Sequence, residues 1–471
     1  MFTVLGQRTR HRCDGGSRRS FLKAGSLGLA GLTLADVLRA EQVSGGGASQ
    51  KAVINIHLDG GPPQMDLIDP KPEAPSEYRS PFSSIPTAIP GFNVTELLPK
   101  VASIANELVF LRSLVGAAAK HDAFQCQSGF NEKSLAAVGG RPALGCVVNH
   151  LLGSAQDRAP TFVDLMQGRP LARNSARPGF LGPAFGSFRP DISHLFEREL
   201  EAGMKVELAR LGAGHTTKLS LMRELSVGRL DDRLSLLGGL DRTRRAIDHN
   251  GHMDALDTFT QQAYRILTSG EFAAAMDLEK EDPKMLDRYT APVSSSNPGT
   301  KFYTSEGPQA GRKLLLARRL IEAGVRCVSV SISDFDTHSN NNSRMRQLGP
   351  IVDHALHALI TDLRDRGMLD NVTVLAWGEF GRTPKINPEG GRDHWPRVAM
   401  GIMAGGGMPG GVVLGATDRY AGEATERPIH YQDVIATLYH QLGIDSATTL
   451  TDPTGRPQFL VDQGTPIAEL V

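Results

Sequence analysis

The chain has 471 residues, 40% of them hydrophobic, enough to bury the core of one large α/β domain or of two to three smaller ones. Lysine plus arginine number 51 and aspartate plus glutamate also 51, so no net field draws the chain to nucleic acid or to an anionic membrane surface, and no nucleic-acid partner is expected. The four cysteines, Cys13, Cys126, Cys146 and Cys327, lack CxxC spacing and make a poor disulfide framework. Either Cys126 and Cys146 pair in an oxidising compartment, or they stay, with Cys327, isolated buried thiols.

Ser17-Arg18-Arg19-Ser20-Phe21-Leu22-Lys23 is a twin-arginine sequence, and it leads into a short apolar stretch of small residues from Ala24 to Ala35. That stretch falls well short of the roughly 20 apolar residues a spanning helix needs, and Asp36 and Arg39 end it. Residues 1–40 therefore read as an export signal, with cleavage expected after Ala40, and the Gly- and Ser-rich residues 41–50 as a flexible linker. The twin-arginine translocation machinery is the implied partner. The implied destination is periplasmic or extracellular, with no stable membrane span after signal removal.

Ala52 to Leu58 is rich in β-branched residues and closed by Asp59-Gly60-Gly61-Pro62, which predicts a strand ending in a carboxylate-bearing loop. A helix is predicted over 98–105, a strand over 108–111, a helix over 143–152 and a strand over 161–166. From about 219 to 278 the apolar residues recur at three- to four-residue intervals, as in a helical insertion or cap. The last third alternates regularly: helix 311–323, strand 326–333, helix 351–366, strand 372–377, strands 398–403 and 412–414, and a closing helix from Tyr431 to Leu442. Gly324 and Gly367 stand where helix C-caps belong. This rhythm predicts an α/β fold, a mostly parallel sheet with helices on both faces.

Three polar clusters follow predicted strands: Asp59, Asp66 and Asp69; Asp334, Asp336 and His338; Glu379, Asp393 and His394. In a parallel sheet these ends emerge at one edge, so distant segments converge there. Carboxylates with imidazoles form the ligand set of zinc, manganese or a similar ion, and the mixed oxygen and nitrogen donors argue against a calcium-only cage. A fourth loop, His121 to Gly129, gathers His121, Asp122, Cys126 and Ser128. Either Ser128 or Cys126 serves there as a nucleophile, or His121 and Asp122 cap a helix. Arg382 either holds a sulfate or phosphate oxygen or neutralises Glu379. The remaining histidines, such as His354 and His357, read as helix-surface residues.

The segments LDGGPPQMDLIDPKPEAP, DFDTHSNN, GEFGRTPKIN and GRDHWP, behind SRRSFLK, closely resemble those of the exported bacterial domain of unknown function 1501 family, over nearly the whole chain. That family is usually placed in the sulfatase-like, alkaline phosphatase-like superfamily. The resemblance implies that Asp59 is the metal-binding aspartate after the first strand, that Asp336 and His338 bind one metal, and that His394 is the final histidine ligand. It also implies that PIHYQDVIATLYHQLGI forms the helix closing the domain. Two departures stand out. Glu379-Phe380 occupies the place of the superfamily's Asp-His, so a nitrogen ligand is lost unless His121 replaces it. Cys126 lacks the following proline and arginine that convert a sulfatase cysteine to formylglycine, and no Asp-Ser-Ala run is present.

The expected architecture is thus an alkaline phosphatase-like α/β domain over residues 51–471 with a helical insertion at about 219–278. Asp59, Asp336, His338, Glu379 and His394 are expected to hold one or two divalent ions, zinc, manganese, magnesium or calcium. Ser128, Arg382 and His121 are the expected catalytic residues, and the substrate is a small-molecule or glycan ester of sulfate or phosphate. The rival expectation is a noncatalytic exported protein that keeps the fold and binds a metal, a glycan or a partner protein.

Overall fold

The computed structural model describes residues 51–121, 123–131, 139–154, 157–166, 176–190, 192–195, 270–292 and 306–471. The export signal, the linker and residues 219–269 of the predicted insertion lie outside them. At the end of that span Glu271–Met276 forms a short helix. Residues Lys51–Val471 make one compact unit.

Eight strands form the central sheet: β1 Ala52–Leu58, β2 Leu108–Val115, β3 Phe162–Leu165, β4 Cys327–Ile332, β5 Val372–Trp377, β6 Ala399–Gly405, β7 Val412–Leu414 and β8 Ile429–His430. Their order is β7-β2-β6-β5-β1-β4-β3, with β8 also pairing β2. β1 is parallel to β4 and β5, with His57 level with both Ser331 and Trp377, and β3 is parallel to β4. β6 alone runs the other way, between β5 and β2, so β2 regains the common direction and β7 and β8 lie parallel to it. The carboxyl ends of β1, β2, β4 and β5 therefore leave the sheet at one edge, and the chain entering β6 arrives there.

Every residue of β1 is buried, as expected of a strand covered on both faces. Ile54, Ile56 and Leu58 belong to one apolar core, which includes α3 (Arg312–Glu322) and α4 (Asn341–Asp365). Val53 belongs to the other, with α2 (Leu144–Leu152), α5 (Tyr431–Gln441) and Cys126 of α1 (Phe124–Ser128). Cys126, Cys146 and Cys327 form no disulfide and are buried in this second core, so the buried-thiol reading describes them.

The fold class is the expected one, and β5 and β7 have their predicted bounds. The main difference is α4, which starts at Asn341 and runs through Pro350 rather than beginning at Ile351. An interior proline costs a helix about 3 kcal/mol. Tertiary bonds offset it. Thr337 Oγ1 donates to Asn341 Oδ1 at 2.7 Å, and the Arg344 guanidinium donates to the carbonyls of Asp336 at 2.7 Å and Asp334 at 2.8 Å. The extra turns thus clamp the loop that follows β4.

Candidate metal centre

Two groups of ligand-type side chains meet at this edge. The first is His57, Asp59 and Glu379, all buried. The β1–β5 register sets His57 beside Trp377, two residues before Glu379, which brings these side chains together. His57 Nε2 lies 3.4 Å from Glu379 Oε2 and 3.7 Å from Asp59 Oδ1, close enough for attraction but without a formed hydrogen bond. Both ring nitrogens of His57 and Glu379 Oε2 lack a hydrogen-bond partner among the described residues. Leaving a buried polar group unsatisfied costs about 1–3 kcal/mol, so these atoms suit a cation. Burial alone disfavours the protonated His57, yet the neighbouring carboxylates outweigh it and raise its pKa. Burial also raises that of Asp59.

The second group is His121, Asp336, His338 and His394. Asp336 Oδ1 is 3.0 Å from His338 Nε2 and 3.5 Å from His394 Nε2, Asp336 Oδ2 is 3.3 Å from His121 Nε2, and the Nε2 atoms of His338 and His394 are 3.0 Å apart. Ligand atoms about 2.0–2.1 Å from a tetrahedral ion are about 3.3 Å from one another. The observed separations bracket that edge. Each imidazole also has its Nδ1 against an oxygen: His338 on Asp393 Oδ1 at 2.7 Å, His121 on Glu379 Oε1 at 2.9 Å, His394 on the Ala119 carbonyl at 3.2 Å. An acceptor at Nδ1 fixes the proton there and turns the Nε2 lone pair inward, as in metal-binding histidines. The donor set, its spacing and its outer contacts all fit a divalent ion. Burial disfavours charge on His121, but its bonds with Asp336 and Glu379 prevail and lift its pKa to about 9. Burial is likewise overcome at Asp336, where His121, His394 and Arg382 hold the carboxyl far below the ordinary carboxylate range. His121 joins the two groups, with Glu379 on one nitrogen and Asp336 on the other.

A buried polar scaffold holds the loops. Asp66, wholly buried, accepts from Arg392 Nε at 2.9 Å, Asn341 Nδ2 at 2.7 Å and Ser80 Oγ at 2.9 Å. Arg392 in turn donates to the carbonyls of Thr383 and Pro384, which fixes the turn that carries Asp393 and His394. A Cβ on Gly60, where φ is +106°, would stand 2.4 Å from the Asp336 amide nitrogen, and one on Gly391 would stand 1.9 Å from the His338 carbonyl oxygen. Only glycine lets these loops approach the ligand segments so closely. Asp334 adopts φ +82°, a strained setting for a non-glycine residue beside the cluster.

The residues expected as ligands, Asp59, Asp336, His338, Glu379 and His394, all lie in the two groups. His121, expected in catalysis or as a replacement ligand, lies between them. Two other expectations need correction. Arg382 does not face an open site: fully buried, its guanidinium donates to the carbonyls of Gly60, Gly61 and Arg392 and pairs with Asp336 at 2.8 Å, so four of its five N–H groups are committed to holding the loops. Its acidic partner is Asp336 rather than Glu379. Ser128 is buried in α1, where its hydroxyl donates to the Phe124 carbonyl at 2.9 Å and accepts from Phe130 N, so it is not presented as a nucleophile. Asp69 is drawn away to Thr417, Lys71 and Arg112. Sequence reasoning passed over His57, read as part of the strand, and named Asp393 in a ligand cluster without foreseeing that it orients His338. The usable signal was a histidine at the inward-alternating end of an apolar strand, two residues before Asp59.

Residues 50–471 match the family model described as a protein of unknown function, DUF1501. No protein with a curated description matches the chain. Among solved structures, the chain is similar to the PsFucS1 sulfatase from Pseudoalteromonas sp., with 11% identity, 87% of this chain and 70% of that one covered and a TM-score of 0.35. It is similar to the phosphonate monoester hydrolase of Agrobacterium radiobacter, with 13% identity, 89% and 77% covered and a TM-score of 0.34. It is also similar to the lipoteichoic acid synthase LtaP from Listeria monocytogenes, with 9% identity, 85% and 74% covered and a TM-score of 0.35.

Proposed function

The chain belongs to the DUF1501 family, and from the geometry at the sheet edge we propose that it is an exported metal-dependent hydrolase of sulfate or phosphate esters. The observation that carries this reading is the ring of inward-facing Nε2 atoms on Asp336, each backed by an oxygen at Nδ1, beside the buried unpartnered atoms of His57 and Glu379. His121, Asp336, His338 and His394 would hold one divalent ion, and His57, Asp59 and Glu379 a second. When bound, such ions supply Lewis-acid polarisation of an ester oxygen and a water of lowered pKa.

The chain's own residues set the charge and the shape. Three ligand carboxylates, Asp59, Asp336 and Glu379, stand against the four charges of two divalent ions, and Arg382 adds a further positive charge, so the filled site attracts an anionic ester. Arg382 fixes Asp336 against the Gly60-Gly61 turn, and Asp393 orients His338. With Ser128 committed inside α1, attack falls to water rather than to that hydroxyl. Export rests on the Arg18-Arg19 signal. No helix among the described residues is long and apolar enough to cross a membrane.

The test is elemental analysis of the mature protein purified without chelator, together with turnover of aryl sulfates and of phosphate mono- and diesters before and after chelation. About one or two equivalents of metal and chelator-sensitive turnover are expected. Metal below about a tenth of an equivalent, unchanged after metals are added back, would leave the noncatalytic binding reading in its place.

A further inference from the structure

A cleft of about 720 Å³ opens beside His338 and His394, well within the size of ligand sites, about 300–1,000 Å³. Asp393, whose carboxylate orients His338, is part of its wall, so cleft and centre share this residue. Three half-buried aromatic side chains line it: Tyr78, Trp395 and Tyr420. Their rings are held in place. Trp395 Nε1 donates to the Gly422 carbonyl at 2.6 Å, and the Arg397 guanidinium lies 5.3 Å from the indole. The Tyr78 and Tyr420 rings are 4.6 Å apart and tilted by 36°. A platform fixed in advance binds a flat apolar face with little ordering cost.

The backbone around the cleft indicates what kind of ligand fits. Thr383 N donates to the Asp393 carbonyl, Ile386 N to Glu77, Asn387 N to Gly391 and Asp418 N to Glu423. These four amides serve their own turns and so are not offered to an extended peptide. Recognition falls to the rings and to Lys385 at the margin, since Arg397 is paired with Glu423 and Asp418 accepts from the amides of Gly422 and Glu423. That pairing suits a pyranose, whose C–H face stacks on an aromatic ring while its hydroxyls reach polar groups at the ring's edge.

We propose that this cleft is a saccharide subsite, so that the ester cleaved at the adjoining centre is carried on an oligosaccharide. The cleavage half rests on the hydrolase reading, and the binding half does not. The chain has two tryptophans, Trp377, fully buried, and Trp395, in the cleft, so indole fluorescence reports on occupancy. The full chain, with metal and after chelation, is titrated with a panel of sulfated, phosphorylated and unsubstituted oligosaccharides, and separately with extended peptides.

The expected result is a saturable emission change with one or more oligosaccharides in both forms, absent in Trp395→Phe. In Tyr420→Ala, and in Tyr78→Ala as a second variant, binding should be roughly 2- to 10-fold weaker with metal content retained. Absence of a saturable change with any saccharide in either form overturns the subsite, as does a response to peptides alone. Saccharide binding without turnover of any ester removes the hydrolase reading and leaves the subsite standing. Turnover of aryl esters without saccharide binding does the reverse.

Discussion

Replacing Asp393 by asparagine isolates the outer contact on which the centre's assignment depends. Asp393 Oδ1 accepts the His338 Nδ1 hydrogen at 2.7 Å, and that bond, opposed by slight burial, holds the Asp393 carboxyl below its ordinary pKa. Both side chains are about half exposed, 48% for His338 and 52% for Asp393, so the pair by itself adds little to folding. Its consequence lies in metal affinity, where loss of such a carboxylate costs about 10- to 100-fold. At free metal about 100 times the dissociation constant, one ion stabilises the fold by about 2.7 kcal/mol. A tenfold weaker site keeps about 1.4 kcal/mol of that, which for a unit of this size lowers the metal-induced rise in melting temperature by roughly 1.5 °C. The assay is paired: competition for zinc or manganese against a chelating indicator, and thermal unfolding with metal and with chelator. Affinity should fall while the chelated proteins melt together. Equal affinities, or equal destabilisation with and without metal, would refute the role given to Asp393 and the orientation assigned to His338.

Three further outcomes are expected. His338→Ala and His394→Ala should each lower metal content and metal-dependent heat stability, whereas His357→Ala on α4, outside both groups, should change neither; mass spectrometry of the purified variants decides it. Arg382→Lys should cost about 2–4 kcal/mol in denaturant unfolding, because one ammonium replaces a buried guanidinium that reaches three carbonyls and Asp336; a loss below about 0.5 kcal/mol would contradict the scaffold role. Asp353 of α4 accepts from the amides of Val101 and Lys100, yet burial outweighs those bonds and raises its pKa to about 6. A raised carboxyl stabilises the fold fully below its unfolded value near 3.8, and that contribution, about 3 kcal/mol, is lost as pH rises through about 6. The difference in stability between the chelated parent and Asp353→Asn should therefore shift most between pH 4 and 6, and a difference independent of pH across that window would exclude it.

How much of this was legible in the sequence follows from the range of the forces involved. The strands were legible because a strand buried on both faces needs a continuous apolar run, and β1 and β5 are such runs closed by polar loops. The convergence of Asp59, Asp336, Glu379 and His394 was legible because a parallel sheet sends the ends of its strands to one edge, and residue type supplied the rest. Local reading failed where a distant partner decides. Pro350 marks a helix boundary by its own chemistry, but the bonds from Arg344 to the Asp334 and Asp336 carbonyls carry α4 past it. Sequence shows that a cation follows Glu379, not that the Gly60, Gly61 and Arg392 carbonyls absorb its guanidinium. Ser128 sits in a loop of reactive residues, yet one helical turn hands its hydroxyl to Phe124. His57 is the opposite case: its setting is local, but an imidazole inside an apolar strand is read as one more core side chain unless its two unpartnered nitrogens are seen. Arg382 and Ser128 share one trait, that their side chains' partners lie on another segment or on their own backbone. The metal assignment therefore rests on the outer acceptors at Asp393, Glu379 and Ala119, because chance proximity of carboxylates and histidines would not supply each Nδ1 with an oxygen of its own.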